Sequence, residues 1–191
     1  MDFSTIPLPK NKETIFFNDG DTHDIINVIE KVDKDSESNR YTKDFAKQFE
    51  DKDEFKTCEN IWQFVKNNIK YSADKSGHEI VQYPNYLVYN GKGDCKSFSI
   101  LIGDLLRNVH NGKIDFRYRF ISQDIFDKTP KHVYVVATLN DGYECILDAV
   151  YTDFDREPKY FYKTDRAAFR IKGTAKVQGC SYCLTRKMIN I

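Results

Sequence analysis

The chain has 191 residues, 29 basic against 29 acidic, with 40% hydrophobic and 14% aromatic side chains. That length suits one domain with a real core, and a net charge of zero with no basic stripe interleaved with aromatics argues against a nucleic-acid surface. No apolar run approaches the roughly 20 residues that span a bilayer, and the start, Met1-Asp2-Phe3-Ser4, lacks a basic region followed by an apolar stretch, so no membrane partner and a cytoplasmic location are expected.

Residues 1–20 contain Pro7, Pro9 and the turn signal Asn18-Asp19-Gly20, and read as an extended arm. Asp21 or Thr22 can cap a helix over 23–33, whose apolar side is Ile25, Ile26, Val28, Ile29 and Val32. Lys34 to Arg40 is polar and reads as a loop, and a short helix over 42–50 places Phe45 and Phe49 four apart. Asp53 is an N-cap for a stronger helix in which Phe55, Cys58, Trp62, Val65 and Ile69 follow a 3.6-residue period. Residues 72–94, with Gly77, Pro84, Gly91 and Gly93, read as a long irregular segment of the kind that often carries function.

The next helix begins at Cys95. Phe98, Leu101, Ile102, Leu105, Leu106 and Val109 form one apolar stripe, and Asn111-Gly112 ends it. From 115 the period changes to two. Phe116, Tyr118 and Phe120 alternate with arginines, and Val133 to Leu139 alternates likewise. Asn140-Asp141-Gly142 is a hairpin turn, after which Tyr143 to Val150 returns as a strand. Beyond 157 the chain is aromatic and basic, with room for two short strands. Helices followed by an antiparallel sheet make the fold class α+β. The division expected is an N-terminal arm with helices over 1–53 and a main domain with a C-terminal extension over 54–191.

Five cysteines, at 58, 95, 145, 180 and 183, are an odd number without regular spacing, so a reducing compartment fits better than a disulfide framework. Cys180-Ser181-Tyr182-Cys183 is a lone pair with no second pair or histidine beside it, and neither a metal nor another cofactor is expected. Cys58 and Cys145 lie on apolar faces and read as inert core residues.

Cys95 differs because of its place. A helix start carries partial positive charge, which favours thiolate over thiol. Asp94 stands at the N-cap, and the free backbone N–H groups offer an oxyanion donor. A thiol nucleophile needs a base, and the base needs a group to hold its ring. His132 opens one hairpin strand, and Asp148 lies near the end of the other, flanked by Ile146, Leu147, Ala149 and Val150. A carboxylate in so apolar a strand is costly unless paired. With a three-residue turn over Asn140-Asp141-Gly142, Leu139 pairs with Tyr143 and Tyr134 with Asp148. His132 and Asp148 are then diagonal neighbours on one face.

Gly93-Asp94-Cys95 at a helix start, His132-Val133-Tyr134-Val135 in a strand and Leu147-Asp148-Ala149 together resemble the transglutaminase-like (papain-like) cysteine peptidase superfamily, as does the preceding stretch from Ile61-Trp62-Gln63 to Ile69-Lys70-Tyr71. The resemblance covers residues 55–155. It implies acyl chemistry: Cys95 attacks an amide or ester carbonyl, His132 carries the proton and Asp148 orients His132. The implied activity is a thiol-dependent peptidase or amidase acting on a peptide or protein substrate. Acyl transfer to an amine is one alternative. The stretch from Ala149-Val150-Tyr151 to Asp155-Arg156-Glu157-Pro158 resembles small members encoded by phages and prophages. This implies a second alternative, a virion or assembly scaffold with other phage structural proteins as partners, located in the bacterial host cytoplasm or the virion. A clear tryptophan shortly before the cysteine, which would complete the oxyanion site, is lacking. Gln82, Asn85 and Tyr86 are the candidates for that donor, and Trp62 reads as core.

Overall fold

The computed structural model of the chain describes residues 1–9, 14–18, 22–75 and 78–169. Strand β1 (Thr14–Asn18) precedes helices α1 (Thr22–Asn39) and α2 (Glu54–Asn68), with a 3-10 turn, Phe45–Phe49, between the helices. Short elements follow: β2 (Lys70–Tyr71), β3 (His78–Gln82), α3 (Pro84–Asn90) and β4 (Lys92–Gly93). Then come α4 (Cys95–Asn108), β5 (Asp115–Ser122), β6 (His132–Thr138), β7 (Glu144–Leu147) and β8 (Tyr162–Ala167). The last four strands form one antiparallel sheet in the order β7-β6-β5-β8. This is the expected α+β layout, with the helices first. None of the described helices is long and apolar enough to cross a membrane.

Helix α4 is the centre of the molecule. It packs on β5 and β6 on one side, and α1, α2 and α3 pack around it on the other. Alternation along β6 follows from its period of two. Val133, Val135 and Ala137 join the main core, while Tyr134 and Val136 join Ile121 and Ile146 in a smaller cluster closed by Tyr160. Helix and sheet approach closely at Gly103, where an added Cβ would lie 2.6 Å from the Tyr118 hydroxyl and 2.7 Å from the Phe116 ring. Only glycine admits that approach.

The hairpin has the expected register. Leu139 N–H donates to the Tyr143 carbonyl at 2.9 Å, and Gly142 takes the left-handed conformation, φ 85°, that a three-residue loop requires. Val135 then pairs with Leu147, and the same register places Tyr134 opposite Asp148. Asp53 caps α2 as expected, its carboxylate accepting from Phe55 N–H at 2.9 Å.

Three expectations change. Helix α1 does not stop near residue 33 but continues through Lys34–Asn39, because Asp33 and Ser36 turn inward. Asp33 pairs with Arg107 and accepts from the Tyr118 hydroxyl at 2.5 Å, partners far away in sequence. Residues 72–94 are not irregular throughout. They carry β3, α3 and β4, with Pro84 in the first turn of α3 and Gly91 at φ 67° ending it. Ile26, Ile29, Val32, Phe45 and Phe49 of residues 1–53 share one core with the rest. Finally, α4 buries more than a stripe: every residue from Cys95 to Arg107 is buried, the charged ones through ion pairs. One of the two strands expected beyond 157 is β8; Cys180 and Cys183 lie outside the described residues.

Candidate active site

Cys95 is the first residue of α4. Asp94 caps the helix, accepting from Ser97 N–H at 3.2 Å. Gly93 is fixed by the parallel pairing of β4 with β2, opposite Tyr71. The thiol opens into a cleft of about 370 Å³, lined by Tyr71, Asp94, Cys95, Phe120, Pro130 and His132 among others. One turn along, the Ser99 hydroxyl lies 2.8 Å from the Cys95 carbonyl oxygen and 3.0 Å from that of Val133, so it ties the helix start to the strand that carries His132.

His132 Nε2–H donates to Asp148 Oδ2 at 2.6 Å. Cys95 lines the same cleft as the ring and is the second group that raises its pKa. Because Nε2 is committed to Asp148, Nδ1 is the nitrogen left for the sulfur. Tyr151 meets the imidazole edge-on at 5.7 Å, and Tyr134 lies against it at 5.8 Å. Burial acts to lower the imidazole pKa, but the hydrogen bond with Asp148 and the proximity of Asp148 and Cys95 outweigh it and push His132 up to about 10. The cleft thus holds a sulfur beside an imidazole that is cationic across the neutral range.

Asp148 is itself held. Its Oδ1 accepts from Val150 N–H at 3.2 Å, and its carbonyl accepts from the Trp62 indole N–H at 2.9 Å. Lys66 Nζ donates to the Val150 carbonyl at 3.0 Å. Helix α2 therefore clamps the turn that presents the carboxylate. Trp62 is core, as expected, but its polar edge also has this task. The general need of a buried indole N–H for an acceptor is the signal that could have shown it.

Gln82, Asn85 and Tyr86 do not line the cleft. The Gln82 amide donates to the Lys92 carbonyl at 3.0 Å and accepts from Asn90 at 2.9 Å. Asn85 is buried on α3, where it lines a separate pocket with Phe3, Ile6 and Leu8 of the N-terminal segment. Tyr86 is on the same helix. Gln82 ends β3 with its amide engaged by Lys92 and Asn90, and Asn85 and Tyr86 sit on α3, a helix and not an open loop.

Sequence reasoning missed the charged wall of the cleft. Lys96 is buried and pairs with Asp94, with Asp74 at 3.1 Å and with Glu79 at 2.7 Å. Oxygens of these three carboxylates lie within 4.8 Å of one another, a spacing that could hold a metal ion. The Lys96 ammonium stands among them and supplies the compensating cation. Burial raises the Asp94 pKa against the opposing pull of Lys96. Beyond neighbouring Asp94, the partners that mark Lys96 come from 17 and 22 residues away. Cys58 and Cys145 are buried as expected; the neighbouring Cys58 thiol, with burial, pushes the Cys145 thiol up.

Comparison with known families gives a match over residues 40–174 to a family described as a transglutaminase-like domain. A structure named as a candidate protease from Parabacteroides distasonis superposes with a TM-score of 0.51 at 17% identity, over 66% of this chain and 26% of that one. Weaker likenesses are a candidate cysteine protease from Cytophaga hutchinsonii, with TM-score 0.42 at 18% identity over 71% and 48% of the two chains, and calcium-bound LapG from Legionella pneumophila, with TM-score 0.45 at 16% identity over 68% and 75%. The chain thus spans about a quarter of the first of these structures and about half of the second. No curated protein sequence matches it.

Proposed function

The chain belongs to the transglutaminase-like domain family, and from that premise we propose that it is a thiol-dependent acyl-transfer enzyme, a peptidase or amidase with Cys95 as nucleophile, His132 as proton carrier and Asp148 as the group that orients His132. The observation that carries this reading is the placement of His132, held by Asp148 at 2.6 Å and lining one cleft together with Cys95.

The cycle starts with the Cys95 proton already on His132 Nδ1, so the sulfur bonds the carbonyl carbon directly while the carbonyl π pair moves to oxygen. The tetrahedral adduct collapses and the C–N bond breaks. The leaving amine takes its proton from the His132 imidazolium, and a thioester remains on Cys95. Water then gives a proton to His132 and attacks the thioester. Collapse of this second adduct expels the sulfur as thiolate beside the His132 imidazolium and releases a carboxylic acid. The raised basicity of His132 suits the acid half of each cycle, because it enters as a cation. Asp148 keeps the Nε2–H tautomer and steadies that cation.

The test is limited alkylation of the full chain with iodoacetamide, followed by peptide mapping and assay on a generic peptide mixture. Cys95 should be labelled first, His132→Ala should slow that labelling, and Cys95→Ala should abolish release of new amines or ammonia. Labelling of Cys95 no faster than buried Cys58, with amine release unchanged in Cys95→Ala, would sink the reading. Adding a small primary amine separates the branches: a stable amide product marks transfer, and a carboxylate marks hydrolysis.

A further inference from the structure

The geometry points to Tyr71 as the side-chain donor of the oxyanion site, its phenol acting with the backbone N–H of Cys95 on the oxygen of the attacked carbonyl. This rests on the acyl-transfer reading above. The three residues expected for the role do not line the cleft, whereas Tyr71 lines it together with Cys95.

Two independent features fix its place. Tyr71 is the last residue of β2 and pairs with Gly93, so the β2–β4 ladder sets its backbone two residues ahead of Cys95. Its ring meets Phe98 edge-on at 6.0 Å, and Phe98 lies one turn along α4 from Cys95. Strand and ring together anchor the side chain to the start of the nucleophile helix. Yet Tyr71 remains 45% exposed and lines the cleft, so a substrate there can reach it. Among the described residues its hydroxyl has no hydrogen-bond partner in the resting protein, as a donor reserved for a transient oxyanion requires. Burial, with the nearby charges of Cys95 and Asp94, pushes the phenol up, which keeps it a donor at working pH.

A phenol so placed does little for a neutral carbonyl and much for the alkoxide that forms when sulfur adds. A preorganised donor removed from such a site typically costs about 10²–10³ in rate. The role therefore belongs to steps that pass through a tetrahedral oxyanion and not to others.

That distinction supplies the experiment. The full chain is treated separately with p-nitrophenyl acetate and with iodoacetamide, and modification of Cys95 is timed by mass spectrometry. In the first reaction sulfur bonds the acetyl carbon, the π pair moves to oxygen, and p-nitrophenolate leaves as the carbonyl reforms. In the second, sulfur displaces iodide and no oxyanion arises. Tyr71→Phe keeps the ring on Phe98 and should slow acetylation by about 10²-fold while leaving alkylation unchanged. Equal slowing of both would show a ring that only supports Cys95, and slowing of neither would show a bystander; either overturns the proposal. Should Tyr71→Phe lose its cooperative melt, 3-fluorotyrosine at position 71 keeps ring and fold and donates more strongly. It should then raise acetylation relative to alkylation near pH 6.5, and an unchanged ratio overturns the role. If the unsubstituted chain alkylates at Cys95 but never acetylates there, the acyl-transfer reading itself fails, and Tyr71 with it.

Discussion

The indole N–H of Trp62 donates to the backbone carbonyl of Asp148 at 2.9 Å, across 86 residues of sequence. This bond joins α2 to the turn after β7 and fixes where the Asp148 carboxylate can point. Trp62→Phe keeps most of the ring but leaves that buried carbonyl without its donor. A loss of about 1–3 kcal/mol in stability is expected from urea unfolding. Activity at Cys95 should fall further than the stability loss alone explains, because the carboxylate is no longer held to His132. Full activity in a destabilised Trp62→Phe would show that the clamp serves folding only.

Asp148→Asn tests the carboxylate itself. The amide keeps the shape but cannot steady an imidazolium, and it favours the wrong tautomer of His132. Turnover should fall by roughly 10²–10⁴ with an unchanged circular dichroism spectrum. Turnover equal to the unsubstituted chain would leave Asp148 a purely structural group.

The pH dependence follows from His132. Its folded-state pKa, about 10, lies above its ordinary value of 6.5. A raised pKa means that the partners of the cation stabilise the fold fully below the ordinary value, and that this stabilisation is lost as pH rises through the folded value. The difference in urea midpoint between the unsubstituted chain and His132→Gln should therefore shrink between about pH 6.5 and about pH 10. Turnover should show an alkaline limb near the upper value, where the general acid is lost. A constant difference across that window would mean that the imidazole is not held as a cation.

Lys96→Met removes the one ammonium shared by Asp74, Glu79 and Asp94. Breaking a buried ion pair from one side typically costs about 3–5 kcal/mol, because the remaining charge stays buried. The melting temperature should drop, and millimolar calcium should recover part of it, since three carboxylates of this spacing suit a hard cation. The same calcium should leave the unsubstituted chain unchanged. A Lys96→Met variant that melts like its parent would show that the cluster is solvated and carries no structural weight.

Much of this was legible in the chain because it is local. The stripe from Phe98 to Val109 announces α4, and Asn140-Asp141-Gly142 sets the hairpin register that brings His132 to Asp148. What was not legible depends on distant partners. Lys34–Asn39 is polar enough to read as a loop, and it stays helical because Asp33 beside it finds Arg107 and Tyr118. Helix α3 carries its own signals, Pro84 and Gly91, but at 7 residues it is too short to show a period. Tyr71 and Lys96 enter the cleft through pairings, β2 with β4 and ammonium with three carboxylates, that no spacing along the chain reveals.

The close approach at Gly103 has a consequence for how the protein fails. Cys95 rides on the helix and His132 on the sheet, so the separation of sulfur from imidazole is set by the spacing between two layers. Gly103 lets those layers come together two turns further along the same helix. The reactive pair is therefore a gauge of core expansion. Warming, mild denaturant or a bulkier side chain at the seam should widen the gap while helix and strands persist. Selective labelling of Cys95 should disappear before the far-ultraviolet dichroism does, and the interval between the two would measure how far the interior can swell before the fold gives way.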